Sequence, residues 1–300
     1  LQKIGHEFTL RGDIEHAIES FLKADDFDGA VESCISLDEW KRALQIADSN
    51  DKIDKLKLIS RYSKYLKENS HACLALNLLI KNNLFVEASQ ILSNEGNNAL
   101  LHNNFVYAKK CFLFAALHSM KDVNNQEETA KYWHKCEAIH FLIIANKAIL
   151  KFKWMESIEL VSRLFSYYSD VVGKERAAAF LSIVGIYSTF YKQSSIGFIH
   201  LENTKNLSKK KKEQFEKLAI KIFRKANPVD PPGCKEFKCS KCKRKMVYPQ
   251  VKCRCGFVTT PSVVSGNSID TGNAWRCENC LHYATFDEIE NYSVCPLCHF

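Results

Sequence analysis

Eight cysteines near the C-terminal end form the clearest chemical pattern in this sequence. They fall into four pairs: Cys239-x2-Cys242, then after ten residues Cys253-x-Cys255, and Cys277-x2-Cys280, then after fourteen residues Cys295-x2-Cys298. Zinc takes four soft donors at tetrahedral corners, and a Cys-x-x-Cys turn supplies two of them from one tight knuckle. The backbone amides of such a knuckle hydrogen-bond the thiolates. The spacers are long enough for a hairpin to bring in the second pair, and Gly256 suits the turn after the Cys-x-Cys pair. Two zinc ions are therefore predicted. Cys239, Cys242, Cys253 and Cys255 would hold the first, and Cys277, Cys280, Cys295 and Cys298 the second. Four thiolates leave no position open to water or substrate, so both sites are expected to be structural and not catalytic.

Which pairs share a metal is a separate question. Sequential pairing is the expectation, because 21 residues without a histidine separate Cys255 from Cys277. A cross-braced RING leaves only a few residues there, usually with a histidine; it stays the alternative. Cys234, His282 and His299 are spare donors nearby and are expected to be bystanders. Lys241, Lys243, Arg244, Lys245, Lys252 and Arg254 surround the first group and would offset the formal charge of four thiolates on a divalent ion. The second group has Arg276 but also Glu278, Asp287, Glu288 and Glu290. A general basic face is thus absent, which argues against nucleic-acid binding as the main role.

The rest of the chain must position these pairs, and it follows different rules. Of thirteen cysteines, the four outside the C-terminal region (Cys34, Cys73, Cys111, Cys136) are single and lie in apolar helical patterns. This distribution favours metal in a reducing compartment over a disulfide framework, and a cytosolic protein is expected. All six prolines occur at or after Pro228, and Pro231-Pro232-Gly233 marks a break. The predicted organisation is a helical region over 1–226, a linker over 227–236 and a zinc-binding module over 237–300. No apolar run approaches the roughly 18 residues of a membrane span. The opening LQKIGHEFTL has no initiator Met and no signal-peptide pattern, which points to a piece of a longer protein. The net charge of +8 is modest for this length and says little about partners.

Within the helical region, GDIEHAIESFLKA, DDFDGAVESCISL and LDEWKRALQIAD align with Ala17, Ala30 and Ala43 at a constant interval of thirteen. Short amphipathic helices that repeat cannot each bury their own face, so they stack in hairpins. The fold class expected is mainly α: a TPR-like α-solenoid followed by a small β-rich, double zinc-ribbon-like module. An irregular helical bundle is the alternative. Longer helices are predicted over 105–120, 127–150, 175–200 and 208–226. Nothing in 1–226 resembles an active site: there is no phosphate-binding glycine loop, no nucleophile elbow and no His-Glu-x-x-His. His71, His102, His118, His134, His140 and His200 are isolated and read as ordinary surface or core residues. Lys209-Lys210-Lys211-Lys212 reads as a solvated helix entrance, with a lipid-phosphate or nucleic-acid patch as the other reading. No enzyme is expected.

The ending SIDTGNAWRCENCLHYATFDEIENYSVCPLCHF resembles the C-terminal end of the WD-repeat subunits of intraflagellar transport complex A. The matching positions are Trp275, Cys277, Cys280, His282, Glu288, Ile289, Tyr292, Cys295, Pro296, Leu297, Cys298 and His299. The segments 207–225 and 12–32 also look like that family's solenoid. The resemblance implies that two WD40 propellers precede such a region in the full-length family member. It implies a non-enzymatic scaffold in retrograde ciliary transport and in ciliary entry of membrane proteins. Partners would be other complex A subunits and ciliary membrane-protein cargo, and the location would be the cytoplasm, cilium, axoneme and basal body. Cys277, Cys280, Cys295 and Cys298 carry over one by one as zinc ligands. Family members vary in the first cysteine group, which is assigned here mainly by spacing. Phe237, Val247, Tyr248, Phe257, Trp275, Tyr283, Phe286, Ile289 and Phe300 would cap the last solenoid helix, meet a partner or fill the module's own core. Two rival functions remain: a RING-like ubiquitin ligase subunit of a vesicle-tethering solenoid, and a zinc-ribbon nucleic-acid binder. If the helical region and the module are separate, Cys277→Ser should unfold the module alone.

Overall fold

The computed structural model describes residues 1–204 and 207–300. The chain is mainly helical and forms two compact units. One comprises residues 1–94 and 117–126, the other residues 95–116 and 127–300.

In the first unit the thirteen-residue interval is one short helix plus one turn. Helices Ile14–Leu22, Phe27–Ser36 and Trp40–Asp48 each carry one of the repeating alanines, and Ala17, Ala30 and Ala43 are all fully buried. A methyl at that position lets the neighbouring helix approach closely while the larger residues beside it fill the seam. Asp13 and Asp26 cap two of these helices by accepting the N–H of His16 and Gly29, which satisfies an otherwise orphan donor. Trp40 stacks on Tyr62 of the helix Lys55–Glu68, with centroids 5.0 Å apart, and closes a core of Val31, Cys34, Ala43, Ala47 and Leu58.

The helices stop in one recurring way. Asp25, Asp38, Ser70 and Asn83 sit in the left-handed region with φ between 55° and 65°. The N–H of the next residue then reaches back five positions, as in Asp26 N–H to Phe21 O (3.0 Å) and Glu39 N–H to Cys34 O (2.8 Å). This is the Schellman closure, with Asp, Ser and Asn where glycine is commonest.

The second unit contains most of helices Phe105–Ser119 and Gln126–Leu150 and all of Trp154–Ser166, Lys174–Tyr187, Tyr191–Asn203 and Lys209–Phe223. The single helix predicted over 175–200 is two. Thr189 takes φ 62°, and the Ser188 hydroxyl turns back to Val184 O at 2.6 Å, so the helix ends without glycine or proline. The helix Lys209–Phe223 has no buried residue; Phe223 meets Phe198 edge-on, and Lys209, Lys210 and Lys211 are exposed in its first turn.

After Pro232 the chain forms short strands, a 3-10 turn at Thr271–Asn273 and a one-turn helix, Phe286–Ile289, capped by Thr285. Glu236–Lys238 pairs antiparallel with Lys245–Val247, and Trp275–Arg276 with Tyr283–Ala284. Turns and single bridges such as Pro261–Ser268 hold the rest. The predicted division at 227–236 does not coincide with the boundary between the compact units, since the cysteine-rich segment belongs to the same unit as helices from residue 127 onward. The reason is a set of buried polar bonds between them, described next.

Candidate metal centres and the helices that seat them

The eight cysteines converge as two groups of four. Cys239, Cys242, Cys253 and Cys255 form one, and Cys277, Cys280, Cys295 and Cys298 the other; within each group all Sγ atoms lie within 4.8 Å of one another. In the first, Cys239 and Cys255 are 3.6 Å apart and so are Cys242 and Cys253. In the second, Cys277–Cys298 is 3.6 Å and Cys280–Cys295 is 3.8 Å.

Three of the four pairs are built on one backbone plan. The carbonyl of the first cysteine accepts the N–H four residues on, from Lys243 (2.9 Å), Leu281 (3.0 Å) or His299 (2.8 Å). Each of these residues has φ near 60°. The N–H of the same cysteine donates to the carbonyl of the following residue, Arg244, His282 or Phe300. The resulting loop turns amides toward sulfur. Cys239 Sγ receives the N–H of Lys241 and Cys242, and Cys295 Sγ those of Leu297 and Cys298. Burial pushes the Cys239 thiol up, but those two amides outweigh it and draw the thiol down to about 6. The bond from Cys280, with the knuckle amides, draws Cys295 down to about 5 against the effect of burial. Four sulfurs within reach of one ion, with amides directed at them, fit a divalent soft metal. The Cys253–Cys255 pair is one residue shorter. There Gly256 at φ 87° donates to Cys253 O at 2.9 Å, a geometry that a side chain would strain.

The two groups have different surroundings. The first packs on Met246, Phe237 and Phe257, with Cys242 exposed. All four cysteines of the second are buried, and helical side chains reach the segment that carries them. Arg163, fully buried on the helix Trp154–Ser166, bonds four acceptors: Nε to Gly266 O (3.0 Å), and its terminal nitrogens to Thr259 O (2.5 Å), Thr259 Oγ1 (3.0 Å) and Ser268 Oγ (2.9 Å). Glu159, one turn earlier, accepts the Ser268 N–H at 2.6 Å and lies 3.6 Å from the guanidinium. Gly266 seats against that helix at φ 77°, where a Cβ would fall 2.3 Å from Leu160 Cδ1.

The helix Gln126–Leu150 contributes Glu137 and His140. Glu137 accepts from His282 Nε2 at 2.7 Å and from the Tyr168 hydroxyl at 2.5 Å. His282 Nδ1 donates to Cys280 O at 2.7 Å, so both ring nitrogens donate and the ring is the cation. Burial opposes protonation of His282, but the Glu137 carboxylate outweighs it and raises the ring above its ordinary value. Conversely, burial pushes the Glu137 carboxyl up and His282 holds it below the usual range. His282 and His299, the spare donors, therefore join neither sulfur group, and Cys234 Sγ lies 3.0 Å from Pro231 O.

His140 Nε2 donates to Val263 O at 2.6 Å, and burial pushes this ring down to about 3. The unfolded chain takes up a proton near pH 6.5 that the folded chain refuses until about pH 3. The contribution of His140 to stability must then fall as pH falls below 6.5, by about 1.4 kcal/mol per unit. His140→Gln, which keeps a donor without the titration, is expected to have a flatter dependence. The difference in urea midpoint between the two proteins, followed from pH 7 to pH 5, measures this directly; parallel curves would exclude it.

The sequence singles out the eight cysteines that converge here but gives no part to Lys109, Glu137, Glu159 or Arg163; it reads His140 as an ordinary surface or core residue, and it is a core residue with a bonded ring. The available signal lay in the helix Trp154–Ser166. Residues 157–164 are buried all round, yet one face carries Glu159 and Arg163. A covered polar face calls for a polar cover.

Comparison with known proteins follows the same division. Residues 130–230 match the family described as IFT121-like, TPR repeats, and residues 260–300 the family described as IFT121, second zinc finger domain. The first cysteine group lies between these two matches. Along its full length the chain is 25% identical to WD repeat-containing protein 35 of Rattus norvegicus, of Mus musculus and of Homo sapiens, spanning 27% of each. In its helical repeats and in its terminal cysteine knuckles alike, the chain resembles the IFT121-like proteins.

Proposed function

We propose that this chain is a scaffold portion of an intraflagellar transport complex A subunit. It supports retrograde ciliary transport and ciliary entry of membrane proteins through contacts with other complex A subunits. It catalyses nothing, and its place is the cytoplasm and cilium, including the axoneme and basal body. Both sulfur groups hold zinc, Cys239, Cys242, Cys253 and Cys255 one ion and Cys277, Cys280, Cys295 and Cys298 the other, and both ions are structural because four thiolates fill the coordination sphere. The observation that carries the reading is the match of both the helical repeats and the terminal knuckles to one family. The sequential grouping of the cysteines supports a scaffold over a cross-braced ubiquitin ligase.

The contact surface follows from exposure. Phe286 is 57% exposed and Tyr292 45%, both in the spacer between Cys280 and Cys295, and the terminal Phe300 is 60% exposed. Large aromatics left in water after the module has filled its own core suit the anchoring of a partner. Phe286→Ser combined with Phe300→Ser should lower co-purification of complex A subunits from ciliated cells at least about tenfold, the effect of losing one anchor of about 1.4 kcal/mol. Helical circular dichroism and two equivalents of bound metal should be unchanged. Recovery of ubiquitin-conjugating enzymes in place of transport subunits would overturn the proposal. Deleting the module is the wrong comparison, because it would strip Arg163 and His140 of their partners.

A further inference from the structure

We infer that Lys109 is the buried counter-charge of the second four-cysteine centre, so that metal loading there and seating of the Cys295–Cys298 knuckle against the helix Phe105–Ser119 are one event. This rests on that centre being a metal site.

Lys109 is 7% exposed. Its ammonium donates to Pro296 O at 2.8 Å and to His299 Nε2 at 3.0 Å, two groups within or directly after the knuckle. An ammonium only donates, so His299 Nε2 is the acceptor and that ring is neutral. Both partners are thus uncharged, and among the described residues no carboxylate lies within ion-pair distance of Lys109. A buried cation with neutral partners is unfavourable unless negative charge stands close by.

The surroundings leave one source for that charge. Cys136 is fully buried, and its Sγ lies 3.9 Å from the Lys109 carbonyl, to which the thiol proton is directed. Glu137 is already paired with His282. Four thiolates on a divalent ion carry a formal charge of −2. The exposed acids Glu278, Asp287 and Glu290 add to that charge instead of relieving it. The first centre has no need of such a device, since exposed Lys241, Lys243 and Lys245 surround it. At the second, Lys109 is a buried cation whose bonded partners are both uncharged.

The test begins with the wild-type protein loaded with cadmium. Two tetrathiolate signals in 113Cd NMR establish both centres; a missing second signal would overturn the metal reading and the inference with it, whereas two signals with unaltered variants would overturn the inference alone. Chelator competition then compares variants. Lys109→Gln keeps an N–H donor for Pro296 O without the charge, and it should weaken the second centre about 10–100-fold and leave the first unchanged. Lys109→Arg should stay within about threefold of wild type, because the charge remains. Equal affinity in the Gln variant, or equal losses at both centres, would overturn the inference. A second measurement needs no variant. Stripping the metal from the wild-type protein should raise acylation of Lys109 by an amine-reactive ester at least about tenfold, as a seated knuckle opens. Reloading with zinc should restore protection, and an unchanged rate would overturn the coupling.

Discussion

Arg163→Met should lower the stability of the protein by about 3–5 kcal/mol, the cost of leaving buried charged and polar groups without their partner. The guanidinium bonds two carbonyls and two hydroxyls, and beside it the Glu159 carboxylate is 9% exposed. Removing the arginine strands all of these at once. Typical domains have only about 5–15 kcal/mol in total, so the loss is a large share. Arg163→Lys should fall between wild type and Arg163→Met, since an ammonium can serve some of the acceptors but lacks the planar fork. Urea unfolding followed by circular dichroism reads the difference. A loss below about 1 kcal/mol would show that solvent replaces these bonds freely.

The second large effect concerns metal removal. Chelation should loosen not only residues 259–300 but also helices Phe105–Ser119, Gln126–Leu150 and Trp154–Ser166, raising their amide exchange at least about tenfold. Zinc binding to small four-ligand modules is worth about 10–16 kcal/mol, more than enough to govern the segment that carries the ligands. Once that segment loosens, Lys109, Glu137, His140 and Arg163 lose their partners together. Helices Ile14–Leu22 to Trp40–Asp48, whose cores are filled within the other compact unit, serve as an internal reference and should not respond. Cys298→Ser should reproduce the pattern. Exchange that rises only within 259–300 would instead describe an independent appendage. The expectation that Cys277→Ser unfolds the module alone gives way to this one, because the module and helices share buried polar bonds.

Much of this arrangement is legible in the sequence, and the illegible part has a physical cause. Cysteine spacing reports local geometry: a knuckle closes within six residues, so Cys239 and Cys242 announce their own turn. The alanine interval works similarly, since a helix and its stop fit within thirteen positions. What spacing cannot report is which remote surface covers a helix. His140 sits in a largely apolar stretch, AIHFLIIANKAIL, and Lys109 precedes Lys110 in FVYAKKCF, where either reads as a surface charge. Their partners lie 123 residues away at Val263 and 187 away at Pro296. Pro231-Pro232-Gly233 does interrupt the helices, but a break in regular structure is not a break in packing. The missed stop at Thr189 is of the other kind. The left-handed residue there is threonine, so the usual glycine marker is absent.

The bonds that hold the terminal segment are markedly one-sided. The helices contribute side chains (Lys109, His140, Arg163), while the segment answers largely with peptide carbonyls, those of Pro296, Val263, Gly266 and Thr259. Every residue type supplies a carbonyl, whereas only a few supply a donor of the right reach. Specification of this interface is therefore written almost wholly on the helical side. Apart from the cysteines, Gly266, the hinge positions of the knuckles and the few side chains that do answer (Thr259, Ser268, His282 and His299), the lettering of the gripped segment is free to drift without loosening the grip. A partner that reads its outer face can thus be exchanged for another while the attachment beneath stays the same.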